Sequence, residues 1–351
     1  MIQPKNILIV RTDRIGDVVL SLPIANLIKK YFPDCKVTFL VKTYTKSLVE
    51  NHPYIDDIII LKEEDNKILV RENVKRITQF KFDSAIIVSP NFLTALIIFL
   101  SRIKIRIGTG YRWYSFFFNH KVFEHRKYAE KHELEFNLDL LSIFGIKENI
   151  KHDSVKFDLK PSVKSKEFVE KALSSNSVSK NKPIIVVHPG SGGSAVDLPL
   201  YKFKELIKLL YEKLNASLII TGQESEKGIC EELKLNENIK NFAGKFDLSE
   251  MVALINKSSI FISNSTGPIH IAAALGKYTI GFYPKILSCS PQRWGPYTNK
   301  KSIFVPEINC SNCTREQCES LDCMSSINIS SVFSQVDKIY QDILINGEFN
   351  V

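Results

Sequence analysis

The stretch at residues 261–276 constrains the fold of this chain more than any other part of the sequence. Its apolar start predicts a buried strand, the polar residues 263–267 predict a tight turn, and residues 268–275 predict a helix that ends at Gly276. Proline at the start of this helix is tolerated because the first amides of a helix have no partner within it. A strand that leads directly into a helix is typical of an α/β fold.

The turn in this stretch is a candidate anion site. Backbone N–H groups and hydroxyls of Ser265, Thr266 and Gly267 would be directed to one point, and the helix dipole favours an anion there. His270, two residues after Pro268, would face the same pocket. We therefore expect a phosphate. An ordinary strand-to-helix connection with a capping histidine is the alternative.

Strands and helices alternate along the rest of the chain, which predicts parallel sheets covered on both faces. At 351 residues the chain is long enough for two domains. The Ser/Asn/Lys/Pro-rich residues 174–183 are the best linker candidate between them. The apolar run 92–100 is about half as long as a membrane span, so we expect a helix packed on a sheet.

Positive charge is concentrated in the first half of the chain. The net charge is +9, and residues 1–160 contain 26 Lys and Arg against 19 Asp and Glu. This half is expected to attract an acidic partner, such as nucleic acid, an anionic lipid headgroup or a phosphorylated glycan. A solvated lysine-rich surface without a partner is the alternative.

Four of the seven cysteines are clustered near the C-terminus, at positions 310, 313, 318 and 323. No segment of the sequence has the pattern of a secretion signal, so a metal site is favoured over disulfides. Four thiolates suit a tetrahedral zinc site, with Cys310, Cys313, Cys318 and Cys323 as ligands. Reduced free thiols in a compact loop remain the alternative, because the four-residue spacings are looser than in common zinc modules.

A polar loop follows the first predicted strand and contains Arg11, Arg14 and Asp17. Loops at the carboxyl ends of parallel strands hold the ligands in such sheets. Asp17 follows glycine at a predicted helix start, so it is either a carboxylate that stabilises the helix dipole or a general base. In the second case Arg11 and Arg14 would hold an anionic substrate.

A glycine-rich loop at 188–194 follows the first strand of the second half. Its glycines allow the backbone to approach a ligand and present a row of N–H donors. The loop matches neither the Walker A pattern nor the dinucleotide-binding fingerprint, which disfavours a P-loop ATPase or a nicotinamide dehydrogenase.

Four motifs taken together resemble glycosyltransferase family 9, the ADP-heptose:lipopolysaccharide heptosyltransferases. They are RIGDVVLSLP at 14–23, HPGSGGSA at 188–195, SNSTGPIHIAAA at 263–274, and the cysteines of 310–323. The resemblance implies a GT-B architecture, in which two Rossmann-like doubly wound domains face a central cleft. It implies an acceptor domain at 1–165, a nucleotide-sugar domain at 181–328, and a last helix at 329–351 that returns to the first domain.

The resemblance also implies the activity. The enzyme would move heptose from ADP-heptose to the Kdo or heptose of the inner lipopolysaccharide core with inversion, at the cytoplasmic face of the inner membrane and without a required cofactor. Asp17 would be the catalytic base, and Arg11 and Arg14 would bind the acceptor. The implied donor-binding residues are Ser191, Gly192, Gly193, Glu224, Ser265, Thr266, Gly267, Pro268 and His270.

Two positions depart from the family pattern. Ser265 stands where many members have Asp, and Val196 stands where many have Lys. Lys202, Lys245 or an arginine would then have to supply the missing cation near the diphosphate. The alternatives are a transferase of the same family with another nucleotide sugar, or a catalytically weak protein that binds nucleotide sugars or glycans. A nucleic-acid binder is disfavoured.

Overall fold

The computed structural model describes residues 2–148, 150–310 and 313–347. The chain divides into two compact units, residues 1–160 and residues 161–351. Among the described residues, no helix is both long and apolar enough to cross a bilayer.

The first unit is built on a six-stranded parallel sheet. Its strands and a separate small hairpin are β1 (Asn6–Val10), β2 (Lys36–Val41), β3 (Asp57–Ile60), β4 (Glu63–Glu64), β5 (Lys67–Ile68), β6 (Ser84–Ile87), β7 (Ile105–Thr109) and β8 (His120–Val122). The order across the sheet is β3-β2-β1-β6-β7-β8, and β4 pairs only with β5. The strand order therefore reverses between β1 and β6, where Ile9 lies opposite Ile86.

Helices follow the strands of this unit. They are α1 (Ile15–Val19), α2 (Pro23–Tyr31), α3 (Val70–Gln79), α4 (Phe92–Leu100) and α5 (Glu133–Asp139). The side chains of residues 7–10 in β1 are at most 1% exposed, because helices cover both faces of a parallel sheet. Helix α4 buries Ala95, Ile97 and Ile98 against residues of β1 and β6, which confirms the expectation of a helix packed on a sheet.

The second unit repeats this topology. Its strands are β9 (Ile184–His188), β10 (Ser217–Ile220), β11 (Lys240–Asn241), β12 (Ile260–Asn264), β13 (Tyr278–Phe282) and β14 (Lys301–Phe304), in the order β11-β10-β9-β12-β13-β14. Its helices are α6 (Val163–Ser175), α7 (Leu200–Lys213), α8 (Lys227–Glu232), α9 (Leu248–Lys257), α10 (Gly267–Ala274), α11 (Pro291–Trp294), α12 (Arg315–Ser320) and α13 (Ile329–Asn346). The switch point lies between β9 and β12, where nucleotide ligands bind in such sheets.

The last helix, α13, packs its apolar face into the core of the second unit. Its buried side chains Val332, Val336 and Ile343 belong to the core cluster of the second unit, together with Leu206 and Leu210 of α7. The apolar face of α13 is therefore filled by its own unit. The expected return of this helix to the first unit stays a prediction, and residues 348–351 lie outside the described residues.

The boundary between the two units lies before the expected linker. The run 174–183 contains the end of α6 and the approach to β9, whereas the division falls after Lys160. Helix α6 buries Val169 and Leu173, and the Ser165 hydroxyl lies 2.5 Å from that of Ser249 in α9. The sequence did not predict this helix, because only one narrow side of it is buried and the rest of its surface is polar.

Candidate active site

Asp17 lies in the first turn of α1, just beyond the carboxyl end of β1. This is the switch point of the first sheet, where ligands are bound in doubly wound folds. No side-chain hydrogen bond caps α1, whose cap position is occupied by Arg14. The Asp17 side chain keeps 15% of its surface exposed. It is therefore mostly enclosed but remains accessible to a ligand.

Arg11 forms the floor of this site. Its side chain is 1% exposed, its Nη2 makes an ion pair with the Asp17 carboxylate, and its Nε lies 3.6 Å from Asp13 Oδ2. Arg11 was expected to bind the acceptor. Its burial and its carboxylate partners instead make it a support for Asp17, while Arg14 remains exposed.

Helix α5 contributes partners that we did not predict. Glu133 is 2% exposed, lies 3.6 Å from Arg11 and forms an ion pair with Arg126. The Asn137 side-chain oxygen accepts hydrogen bonds from Arg11 at 3.4 Å and from Arg126 at 3.2 Å. Glu133 and Asn137 are four residues apart, so they occupy the same helix face. Two polar residues on one face of a predicted amphipathic helix are the sequence signal that could have pointed to these contacts with Arg11.

The pKa of Asp17 is raised above that of an ordinary aspartate. Burial is the largest cause, the Arg11 charge opposes it, and the negative charges of Asp13 and Glu133 add to it. Arg11 thus keeps a buried carboxylate in place while its proton affinity exceeds that of an ordinary aspartate. Such a group is suited to accept a proton from an attacking hydroxyl.

The glycine-rich loop after β9 forms the first wall of the site in the second unit. Gly192 and Gly193 have φ angles of +56° and +75°, which side chains rarely adopt, and Ser191 before them is buried. Burial raises the pKa of nearby Asp197 to about 6, although the charge of Arg315 opposes the shift. This loop therefore contains a carboxylate that titrates near neutral pH.

The amino end of α10 forms the second wall. Thr266 occupies the cap position but its side chain makes no capping hydrogen bond, and Pro268 lies in the first turn. Ser265 donates its backbone N–H to the carbonyl of Phe282 at 3.1 Å. His270 is 4% exposed in this turn. The uncapped helix end is suited to an anion.

Asn264, the last residue of β12, joins these two walls. Its side-chain nitrogen donates to the carbonyl of Pro189 at 2.5 Å, and its side-chain oxygen accepts from the amide of Leu198 at 2.9 Å. The Asn264 side chain is fully buried. The structure therefore brings the predicted residues 191–193 and 265–270 to one edge of the sheet.

Glu224 lies beside the glycine-rich loop. It begins a short 3-10 turn after β10, next to Gln223, whose side chain packs close to Gly192. Glu224 is exposed and packs tightly against Gly244. It therefore lies at the carboxyl end of the neighbouring strand, and its predicted contact to the nucleoside of a donor stays a prediction.

Arg315 was not predicted, and it lies against the same loop. Its guanidinium donates to the carbonyls of Gly193 at 3.0 Å and Ala195 at 3.1 Å. Lys202 instead donates to the carbonyl of Ile327 at 3.2 Å, and Lys245 lies over the ring of Phe242. Of these three cations, Arg315 is therefore the one that contacts the glycine-rich loop. Just after this loop, Val196 stands where many family members have lysine.

His188 plays a structural part at the start of this loop. Its Nδ1 lies 3.0 Å from the Thr221 hydroxyl, and burial lowers its pKa to about 4. The imidazole is therefore neutral near pH 7 and links β9 to the end of β10.

The clustered cysteines are free thiols. Cys318 and Cys323 are buried, whereas Cys310 and Cys313 are half-buried. Within residues 2–148, 150–310 and 313–347, no three His, Cys, Asp or Glu side chains are grouped so that they could hold a metal ion. The expected zinc site therefore stays a prediction.

A groove of about 650 Å³ in the first unit does not coincide with the predicted site. Its lining includes four carboxylates, those of Glu124, Glu135, Asp139 and Glu148, but only two lysines. Asp17 and Arg14 are not among its lining residues. Its charge is unfavourable for an acidic acceptor.

Comparison with known proteins identifies the family. The sequence profile of glycosyltransferase family 9 (heptosyltransferase) matches residues 70–323. A Haemophilus influenzae protein named "Putative glycosyltransferase" is 33% identical over 86% of this chain and 89% of its own length. Lipopolysaccharide heptosyltransferase 1 of Campylobacter coli is 25% identical over 96% of this chain and 99% of its own length.

A solved structure shows the same fold. The ADP-heptose lipopolysaccharide heptosyltransferase II of Escherichia coli has a TM-score of 0.77 at 18% identity, over 96% of this chain and 99% of its own. This likeness confirms the expected GT-B fold class with its two Rossmann-like units. From the profile match and the 33% identical relative, we conclude that the chain belongs to glycosyltransferase family 9, the heptosyltransferase family, and is a glycosyltransferase.

Proposed function

We propose that this enzyme transfers heptose from ADP-heptose to the Kdo or heptose of the inner lipopolysaccharide core, with inversion at the anomeric carbon. The observation that carries the proposal is Asp17, an enclosed carboxylate with a raised pKa at the switch point of the first sheet. Two relatives with 96% coverage, a lipopolysaccharide heptosyltransferase 1 and an ADP-heptose heptosyltransferase II, support the choice of donor and acceptor.

The first unit supplies the base. Asp17 accepts the proton of the acceptor hydroxyl as that oxygen forms its bond to the anomeric carbon, and the bond to the diphosphate breaks on the opposite side. Arg11 fixes the carboxylate that receives the proton, since the two groups form a buried ion pair. Arg14, which is exposed beside the site, contacts the acidic acceptor.

The second unit holds the donor. The leaving ADP gains negative charge, which the amides of Gly192 and Gly193 and the uncapped amino end of α10 stabilise. Thr266 and His270 act at the diphosphate, and Glu224 acts at the nucleoside. Arg315 stabilises the conformation of the glycine-rich loop through its hydrogen bonds to the carbonyls of Gly193 and Ala195.

We place the enzyme at the cytoplasmic face of the inner membrane, where it would meet an acceptor that is anchored in lipid. The balance of 26 basic against 19 acidic residues in residues 1–160 supports a peripheral contact with an anionic surface.

The experiment measures ADP release from ADP-heptose by the purified chain, with and without lipopolysaccharide-core acceptors. We expect ADP only when an acceptor with Kdo or heptose at its end is present. Asp17→Asn should lower kcat by about 10²- to 10⁴-fold with little change in donor affinity. Asp153→Asn, a change of an exposed carboxylate in the same unit, is the matched control and should leave turnover unchanged.

Two results would contradict the proposal. Faster turnover with UDP- or GDP-sugars than with ADP-heptose would assign another donor. Calorimetric binding of ADP-heptose without product from any acceptor would favour the binding-protein alternative, which the replacements at Val196 and Ser265 motivate.

A further inference from the structure

An exposed cluster of aromatic side chains lies on the first unit. Along the sequence, its residues are separate from those proposed to take part in transfer. We call it the aromatic surface and define it as Phe92, Phe99, Trp113 and Phe116 around the buried Phe117. Trp113 and Phe116 are 73% and 62% exposed. Trp113 stacks on Phe92 with ring centroids 5.0 Å apart, and Phe117 lies 5.1 Å from Phe99 and 4.4 Å from Phe116.

The fold itself does not require these rings to be exposed. Helix α4 already buries Ala95, Ile97 and Ile98 in the core, whereas Phe92 and Phe99 lie at its two ends on the solvent side. Contiguous exposed apolar area is disfavoured in water and marks a surface that another phase or molecule covers. Trp, with an apolar ring and a polar N–H, is suited to a boundary between water and lipid.

The segment that contains Trp113 and Phe116 is rich in positive charge. Residues 102–131 contain eight Lys and Arg but only two Asp and Glu, a balance of +6. The whole of residues 1–160 has a balance of +7, so this segment carries nearly all of it. Five of these cations are exposed and make no ion pair with a described carboxylate: Arg102, Lys104, Arg112, Lys121 and Lys127.

Two of these five cations are next to the rings along the chain, and a further, half-buried arginine packs on one ring. Arg102 follows α4 after one residue, Arg112 precedes Trp113, and the guanidinium carbon of Arg106 lies 5.4 Å from the ring centroid of Phe99. Rings that enter the headgroup region next to cations that contact phosphates are the features of a peripheral membrane surface.

We propose that the aromatic surface and its five exposed cations bind the enzyme to an anionic bilayer, with the rings at headgroup depth and the cations on lipid phosphates. Charge complementarity selects a bilayer of anionic lipid as the occupant, and the uneven placement of charge fixes its orientation. The lipid-anchored acceptor of the proposed function gives this contact a purpose, but the binding itself needs neither donor nor transfer.

The test is co-sedimentation of the full chain with vesicles of phosphatidylcholine alone or of phosphatidylcholine with phosphatidylglycerol. We expect the chain to sediment with the anionic vesicles and to be released by salt. Trp113→Ser with Phe116→Ser should weaken binding at least about tenfold, because two exposed rings are lost. Arg112→Gln with Lys121→Gln should weaken it by a similar factor, since each cation contributes about fivefold.

Matched controls are taken from the second unit. Tyr201→Ser removes a ring that is 57% exposed, and Lys164→Gln with Lys171→Gln removes two exposed cations from α6. Both control variants should bind vesicles as the parent does. All variants should transfer heptose to a lipid-free core acceptor at the parental rate, which separates a failure of membrane binding from a failure of the proposed function.

Three outcomes would overturn the inference. They are no sedimentation of the parent with anionic vesicles, equal sedimentation of the ring variant and the parent, and an equal loss of binding in the second-unit controls. A ring variant that binds vesicles normally but no longer uses the lipid-free acceptor would assign the rings to the sugar and would also overturn it.

Discussion

Asp17 is held between a buried cation and neighbouring carboxylates, and this balance sets its proton affinity. Burial raises its pKa, Arg11 lowers it, and Asp13 and Glu133 raise it again. The base form must be ionised, so activity should increase as the pH rises through this raised pKa.

Removal of the Asp13 charge should move the pH profile in a defined direction. Asp13→Asn removes one of the charges that raise the pKa of Asp17, so the acid limb of kcat/KM should shift to lower pH. The plateau rate should stay within about threefold, since Asp13 does not receive the proton in this mechanism. Asp153→Asn should leave the limb in place. An acid limb that shifts to higher pH would contradict this electrostatic account.

Asp197 offers a second test, and it requires no substrate. Its folded-state pKa of about 6 lies above the ordinary value of 3.8, so the native state favours the protonated form. Below the ordinary pKa, Asp197 is protonated in both the native and the unfolded state, so it costs no stability. As the pH rises from about 4 to about 6, the carboxyl ionises more readily in the unfolded state, and the native state loses stability. Asp197→Asn should therefore stabilise the protein by about 2 kcal/mol at pH 7 and by much less at pH 4.

Urea unfolding at the two pH values measures this effect. Asp342→Asn, an exposed carboxylate in the same unit, is the matched control and should show no pH-dependent gain. A gain for Asp197→Asn that is equal at pH 4 and pH 7 would show that its charge is not the cause.

At the scale of elements, the loops after β9 and β12 depend on one side chain. Asn264→Ala would leave the carbonyl of Pro189 and the amide of Leu198 without their partner. We expect a loss of about 2–4 kcal/mol in unfolding free energy and weaker binding of ADP, because both walls of the donor site would shift. Calorimetric titration with ADP and urea unfolding check the two effects.

The exposed Asn238 provides the control for this substitution. Its side chain donates to the Tyr211 hydroxyl at 3.0 Å on the surface. Asn238→Ala should change stability by less than about 0.5 kcal/mol and leave ADP binding intact. Equal effects at the two positions would exclude a special role for Asn264.

The elements themselves were largely predictable, and α6 shows where prediction failed. The apolar runs of β1, β9 and β12 and the Pro268 helix start are local patterns, so the sequence predicted them. Helix α6 is rich in Ser and Lys, and its place in the second unit depends on packing against α9. Such a contact leaves no local signal.

At the scale of the whole molecule, α13 decides where the second unit ends. Residues 161–351 should fold alone with a cooperative urea transition, whereas residues 161–328 should not, since they lack Val332, Val336 and Ile343 of the core. Far-UV circular dichroism and urea unfolding distinguish the two. Cooperative folding of 161–328 with unchanged stability would support the expected boundary at residue 328.

Substitutions in the longer fragment provide the matched comparison. Val336→Ala should cost about 1–3 kcal/mol because the side chain is fully buried, and Lys338→Ala on the exposed side should cost less than about 0.5 kcal/mol. Equal costs would mean that the buried face of α13 contributes little to this unit.

The sequence alone determined the alternation of strands and helices, the glycine-rich loop, and Asp17 at a helix start, because periodicity and turn chemistry act between near neighbours. Only the tertiary structure decided the partners. Glu133 lies beside Arg11 across 122 positions, and Arg315 binds the carbonyl of Gly193 across 122 positions. These contacts form when distant segments fold together, so no local pattern contains them, and they make Arg11, which was expected to bind the acceptor, a buried ion-pair partner of Asp17.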